Sequence, residues 1–411
     1  MSLEADRPRL PAITSLRFFA AFHVALFHMN EMGAITGPHW FKSFAAIGYV
    51  GVSFFFVLSG FILVYTYAGR EIGLHDFWQT RFARIYPAYL FSLLLAAPFF
   101  YFGTFLMHIP FFAFAQQHFA LASVLVLLLL QSWIPAAALM WNAVAWSLSV
   151  EAFFYVVFPF ALAKYTKLSR NVLWALIPAC WVAGLAVSAG YLLFRFAGMP
   201  YVSSANYTSA VQFVKFFPLV RLPEFLMGMA CGFLFLRSDR NPRYALPLVG
   251  LGLLGVAGTT LASRFVPYLV VHTAMSGPAF AAVVCGIALQ PSWAAWLNNR
   301  VLVLFGNASY SFYLLHTLFV WPFFHNMQTQ AVRNQGFVGI GLWTAMMLAI
   351  SSLVYRFIEE PARRKLRPHK NSDTGSSGSV AQRGVTARIP PSVPLLGDKA
   401  MQPRCGRPHI V

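Results

Sequence analysis

Long apolar runs separated by short polar ones dominate the chain. They fall at roughly 10–30, 48–68, 85–106, 119–133, 146–164, 171–195, 221–236, 243–262, 267–290, 308–327 and 337–358. Apolar residues are continuous within each run rather than alternating, which predicts helices and excludes a β-barrel. A membrane-spanning helix needs about 20 residues. The run around 119–133 (HFALASVLVLLLLQSW) is the short one.

The polar stretches between runs fix how many of the eleven cross. The N-terminus (Arg7, Arg9), the 69–84 loop (Arg70, Arg81, Arg84), the 164–170 loop (Lys164, Lys167, Arg170), the 237–243 loop (Arg237, Arg240, Arg243) and the end of the last run (Arg363, Arg364, Lys365, Arg367) are basic. The 31–47 loop carries only Lys42, and the 106–118 loop has no Lys or Arg. If all eleven runs crossed, the basic 164–170 loop would face outward, against the positive-inside rule. One net crossing over 119–164 places every strongly basic loop in the cytoplasm. The expectation is therefore an all-α polytopic transmembrane bundle of about ten spanning helices, both termini cytoplasmic, with 119–133 re-entrant or packed as a half-helix. The 196–220 stretch, with Lys215, becomes the longest outer loop.

Composition agrees. Of 411 residues, 58% are hydrophobic and 10% charged, and 42 Phe and 11 Trp suit lipid-facing surface and interfacial belts. The net charge of +18 invites a nucleic-acid partner. From Pro361 onward, however, ten Lys/Arg stand against two Asp/Glu, and most of the remaining excess lies in short loops, so no such partner is expected. Residues 1–368 read as the transmembrane domain and 369–411 as a disordered, basic, Pro-rich cytoplasmic tail. Cys180, Cys231 and Cys285 sit in apolar runs, Cys405 in the tail, and no CxxC spacing indicates a disulfide or a metal site. Arg7 and Arg9 before an apolar run imitate a signal sequence, but Arg17 and His28 interrupt that run and no small-residue cleavage site follows. It reads as a retained first helix.

Those two interruptions are the first candidate chemistry. Arg17 and His28 are 11 residues apart, about 1100° or three turns plus about 20°, so they share one helical face roughly 16 Å apart along the axis. A charge at mid-bilayer costs at least about 2.5 kcal/mol and normally faces a bundle interior for a function. The alternative is an arginine snorkelling to the headgroups and a histidine at the far interface. In WSLSVEAFFYVVFPF, Ser147 and Glu151 share a face, and Glu151 is the only acid between Asp76 and Glu224. It faces either a polar cavity or a structural cation partner. In RFARIYP, Arg81 and Arg84 share a face at the cytoplasmic start of the third run, able to hold phosphates bidentately or simply to anchor the helix. Ser309, Tyr313 and His316 form a polar stripe in NASYSFYLLHTLFVW, for catalysis or for interhelical hydrogen bonds. Ser59-Gly60 permits close backbone approach. Glu359 and Glu360 beside Arg356 and Arg363 suggest a helix end tied to the cytoplasmic surface, and His23 a packing residue.

Taken in order, Arg17 and His28, FFFVLSGFIL, RFARIYP, WSLSVE, SYSFYLLH and EEPAR resemble acyltransferase family 3, over roughly residues 10–365. Each motif alone is weak; six in order are specific. The resemblance implies transfer of an acyl group, usually acetyl, from cytoplasmic acyl-CoA to a hydroxyl of a cell-surface glycan or lipid-linked sugar. It implies a bacterial inner-membrane location and no permanently bound cofactor, with acyl-CoA, the saccharide acceptor and membrane lipids as partners. Within it, His28 is expected as the general base with His316 as the rival base. Arg17 is expected to organise the donor, Arg81 and Arg84 to bind it, and Ser147 and Glu151 to complete the catalytic set. A transporter or flippase is the competing reading, since intramembrane Arg, His and Glu also build substrate pathways. It predicts inverted repeats, and no such symmetry is visible.

Overall fold

The computed structural model describes residues 7–71, 73–109, 112–194, 202–326 and 336–366; the expected tail at 369–411 lies outside these. The described residues are helical, with no strand. In chain order the helices are α1 (Pro11–Glu31), α2 (His39–Ala46), α3 (Gly51–Tyr67), α4 (Leu74–Phe105), α5 (Ala113–Gln117), α6 (Phe119–Leu127), α7 (Trp146–Tyr165) and α8 (Arg170–Phe194). They continue as α9 (Ser209–Phe216), α10 (Pro218–Leu236), α11 (Ala245–Ala262), α12 (Tyr268–His272), α13 (Gly277–Ala288), α14 (Arg300–Asn326), α15 (Gly336–Val354) and α16 (Glu360–Leu366). Among the described residues ten helical stretches are long and apolar enough to cross a membrane. This is an all-α polytopic bundle, and the chain is an integral multi-pass membrane protein.

The short run is α6, nine residues long and too short to span. The irregular backbone that follows it, up to Ala145, is viable because most of it is buried in protein and bonded to neighbouring segments. Gln131 Nε2 donates to Ala145 O at 3.0 Å, Ser132 Oγ to Trp146 O at 2.8 Å, and Asn142 Nδ2 to Leu314 O at 2.9 Å. All three side chains are buried.

Two expectations are corrected. α4 begins at Leu74 rather than near residue 85, so Arg81 and Arg84 lie within a helix and not in a loop. Its first turns are polar but free of Gly and Pro, and Asp76 in the first turn complements the helix N-terminus. Hydrophobicity marks the lipid-crossing part of a helix and misses such extensions. The 196–220 stretch is likewise not simply a loop: its described part contains α9, and Lys215 is buried.

The bundle is held by close backbone crossings. α3 packs on α10 and α1 on α14. A Cβ at Gly60 would lie 2.1 Å from Phe225 O, and one at Gly228 would lie 2.0 Å from Val57 O, so only glycine fits on either side of the α3–α10 crossing. Exposed Leu94, Phe99, Val182, Leu251 and Leu254 on α4, α8 and α11 give the apolar outer surface that lipid requires.

Candidate active site

Five helices and the N-terminal segment enclose a cavity of about 560 Å³, within the range of small-molecule sites. α1 supplies Arg17; α3 supplies Phe55 and Ser59; α4 supplies Arg81 and Arg84; α7 supplies Ser147, Glu151 and Tyr155; and α14 supplies Asn307, Tyr310 and Tyr313. Seven arginines line the cavity (Arg7, Arg9, Arg17, Arg70, Arg81, Arg84, Arg363) against one carboxylate, Glu151. Arg9 is exposed while Tyr313 and Ser147 are buried, so the cavity runs from a basic mouth to a hydroxyl-lined inner end.

The N-terminal segment is part of the mouth. Arg7 donates to the carbonyls of Val64, Tyr65 and Ala68 at the C-terminus of α3, and Tyr65 Oη donates to Pro8 O at 2.7 Å. A guanidinium suits the carbonyls left unpaired at a helix end.

Arg81 and Arg84 differ in their surroundings. Arg81 donates to Tyr67 Oη at 3.0 Å and lies between 5.5 and 5.8 Å from the ring centres of Tyr67, Phe77 and Tyr155, which fixes its planar head at the cavity wall. Among the described residues neither Arg17 nor Arg84 is within ion-pair distance of a carboxylate. Both lie in the longer-range field of Glu151 and Glu359, and they repel one another. Tyr155 Oη donates to Glu151 Oε1 from one turn along α7, holding the carboxylate. Tyr310 Oη donates to Ile85 O at 2.6 Å, tying α14 to α4 beside Arg84.

The two histidines lie beyond the cavity's inner end and do not line it. Along α14 the lining positions Val303, Asn307, Tyr310 and Tyr313 climb one face, and His316 is the next position of that stripe. Its Nδ1 lies 2.6 Å from Tyr313 O, so Nδ1 carries a proton and donates to that carbonyl. Its Nε2 is buried and has no hydrogen-bond partner among the described residues. His28, on the neighbouring α1, places its ring 5.1 Å from that of His316. His23, by contrast, stacks on Phe44 and bonds its carbonyl at 2.8 Å.

The structure also gives several ionisable groups surroundings that the sequence did not reveal. Glu360 pairs with Arg363 and Arg364 at the surface, as a structural helix end would. Glu359 is different: it is buried, accepts from Ser311 Oγ at 3.1 Å, and interacts electrostatically with Arg17 and Arg84. A π-helical turn over Tyr355–Glu359 gives the two adjacent acids their separate environments. Arg221 and Glu224 form a buried ion pair at 3.0 Å, with Arg221 also donating to Ser53 Oγ and His272 O. Lys215 is enclosed by the rings of Tyr207, Phe216 and Tyr268 at 5.1–5.4 Å. Among the described residues no group of three or more His, Cys, Asp or Glu could hold a metal ion.

Comparison with known proteins agrees with the motif order. Residues 10–356 match the family described as Acyltransferase domain. The chain is 27% identical to acyltransferase MdmB of Streptomyces mycarofaciens over 379 residues, 87% of this chain and 92% of that protein. It is 26% identical to O-acetyltransferase OatA of Staphylococcus aureus, again over 87% of this chain but only 57% of the relative's length. It is 26% identical to exopolysaccharide production protein ExoZ of Rhizobium meliloti over 87% of this chain and 100% of ExoZ. No solved structure matches.

Proposed function

This chain belongs to the acyltransferase family that its residues 10–356 match, and we propose that it moves an acyl group, acetyl in the first instance, from acyl-CoA to a hydroxyl of a cell-surface glycan or lipid-linked sugar. Family membership makes it an enzyme and sets the transporter reading aside. The observation that carries the donor assignment is the excess of seven arginines over one carboxylate in a single cavity, with Arg17 and Arg84 unpaired among the described residues. A pyrophosphate and a further phosphate on a long, thin ligand are the anions that such a site accommodates. The names O-acetyltransferase and exopolysaccharide production protein among the relatives support O-acetyl transfer and a glycan acceptor.

In this reading Arg81 and Arg84 hold the phosphates near the mouth and Arg17 organises the donor. The pantetheine arm runs inward past Glu151 toward Ser147. The acceptor arrives from the opposite, outer side, where His28 and His316 stand. Its oxygen attacks the thioester carbon, the C–S bond breaks, and His28 takes the hydroxyl proton. That proton then returns to the departing CoA thiolate. A histidine is suited to this near neutral pH, and such general-base help is worth about 10²–10⁴-fold. The mouth, with its basic segments, faces the cytoplasm of a bacterial cell, and so do both termini.

The test is to purify the protein in lipid nanodiscs, measure acetyl-CoA binding, and follow CoA release with and without lipid-linked oligosaccharide. Saturable, salt-sensitive binding and acceptor-dependent CoA release are expected. Absence of acetyl-CoA binding would overturn the reading. Loss of surface O-acetyl groups in a deletion strain would identify the acceptor.

A further inference from the structure

Tyr313 lines the arginine-rich cavity and also touches the nearer of the two histidines, His316. Its ring lies 5.7 Å from that of His316 on one side and 6.0 Å from cavity-lining Phe55 on the other. Its phenol oxygen lies 2.9 Å from Ser147 Oγ. Both hydroxyls are within 3.1 Å of a single acceptor, Val144 O. Two donors thus share one carbonyl, and each can turn to another acceptor by rotating its O–H bond with the heavy atoms in place.

Their positions are stiff. Asn142, just before Val144, donates to Leu314 O, so the segment before α7 is stitched to α14 on both sides of the hydroxyl pair. Tyr313 is 6% exposed and Ser147 7%, which places the pair in a site of low water content. Donors whose heavy atoms are fixed in such a place stabilise developing negative charge with no more than a rotation of the O–H bond. The backbone of the same residue also holds the proton on His316 Nδ1. One residue therefore reaches the cavity with its side chain and orients an imidazole with its carbonyl.

We propose that Tyr313 is a catalytic residue, its hydroxyl donating, with that of Ser147, to the thioester carbonyl oxygen as that oxygen becomes an oxyanion. This inference rests on acyl-CoA occupying the cavity. The acceptor oxygen adds to the thioester carbon while the C=O π electrons move onto oxygen, which Tyr313 Oη–H and Ser147 Oγ–H stabilise. The electrons return, the C–S bond breaks, and the proton passes by way of histidine to the leaving thiolate. The balance needs no other reactant.

The experiment compares wild type with Tyr313→Phe and Ser147→Ala, using acetyl-CoA labelled with ¹³C at the carbonyl. Phenylalanine keeps the ring packing against Phe55 and His316 and removes only the hydroxyl. The expectation for Tyr313→Phe is a fall in kcat of about 10²–10³-fold, as for other single oxyanion donors, with the acetyl-CoA Kd unchanged within about threefold. The infrared carbonyl stretch of bound acetyl-CoA should lie below its solution frequency in wild type and move back toward it in Tyr313→Phe. A purely structural tyrosine would not move that band. Unaltered turnover or an unaltered band in a folded Tyr313→Phe that still binds acetyl-CoA overturns the assignment. Failure of the wild type itself to bind acetyl-CoA overturns the donor reading instead. If Tyr313→Phe misfolds, the same two measurements on Ser147→Ala decide.

Discussion

The imidazoles of His28 and His316 face one another at 5.1 Å, ring centre to ring centre, although 288 positions of sequence separate them. α1 and α14 pack along their length, with Gly306 against Thr14 at one level and His316 beside His28 at another. Neither ring is therefore independent of the other.

His28→Ala is expected to lower transfer by about 10²–10⁴-fold while acyl-CoA still binds, since a general base acts on the acceptor side. His316→Ala should also be impaired. The double variant should be little slower than the worse single, because residues acting as a unit are not additive. Steady-state kinetics with a fixed glycan acceptor checks this. Full transfer by His28→Ala with His316→Ala inactive would give the base role to His316.

Arg81→Ala and Arg84→Ala are each expected to raise the acyl-CoA Kd by tenfold or more, the order of one lost charged hydrogen bond of about 1.5–3 kcal/mol. Wild-type affinity should fall with ionic strength, and the variants should show a shallower slope. Titration calorimetry at several salt concentrations decides. Equal affinity in both variants and in Arg170→Ala, which is not among the cavity-lining residues, would mean that Arg81 and Arg84 merely anchor α4.

Glu151→Gln is close in size and keeps an oxygen for Tyr155 Oη, so expression and thermal stability should hold. Turnover is predicted to drop at least about tenfold if the negative charge beside Arg17 and Arg84 matters. Wild-type kcat in this variant would restrict Glu151 to packing.

At the α3–α10 crossing, Gly228→Val is expected to destabilise by about 1–3 kcal/mol or more, since its Cβ would sit 2.0 Å from Val57 O. Gly258→Ala, where nothing lies within 4 Å, should be neutral or stabilising by up to about 1 kcal/mol through helix propensity. Unfolding in detergent measures both, and equal effects would contradict the crossing geometry.

Reporter fusions after Lys167 and at the C-terminus should both signal cytoplasm. An outer signal at Lys167 would reverse the single net crossing assigned to 119–164.

The number of spans and the half-helix were readable because they depend on length, continuity and loop charge, which are local properties. Arg17, Arg84 and Glu151 stood out because a charge in an apolar run is conspicuous. Lys215 did not, since its cage is assembled from Tyr207 and Phe216 together with Tyr268, which lies beyond two further helices, α10 and α11. Glu359 was hidden by its neighbour: two adjacent acids in EEPAR look alike until a π-helical turn sends one inward and leaves the other at the surface. The extension of α4 down to Leu74 was missed because a polar helix end has no hydrophobic signature.

The grip of Arg7 on the last carbonyls of α3 has a practical corollary for anyone handling this protein. Residues 7–10 are masonry of the cavity's doorway. A purification handle or fluorescent fusion joined directly ahead of them would stand at the mouth of the cavity and load the segment that Arg7 ties to α3. A preparation made that way could express well and still look catalytically dead, so the handle belongs at the other terminus.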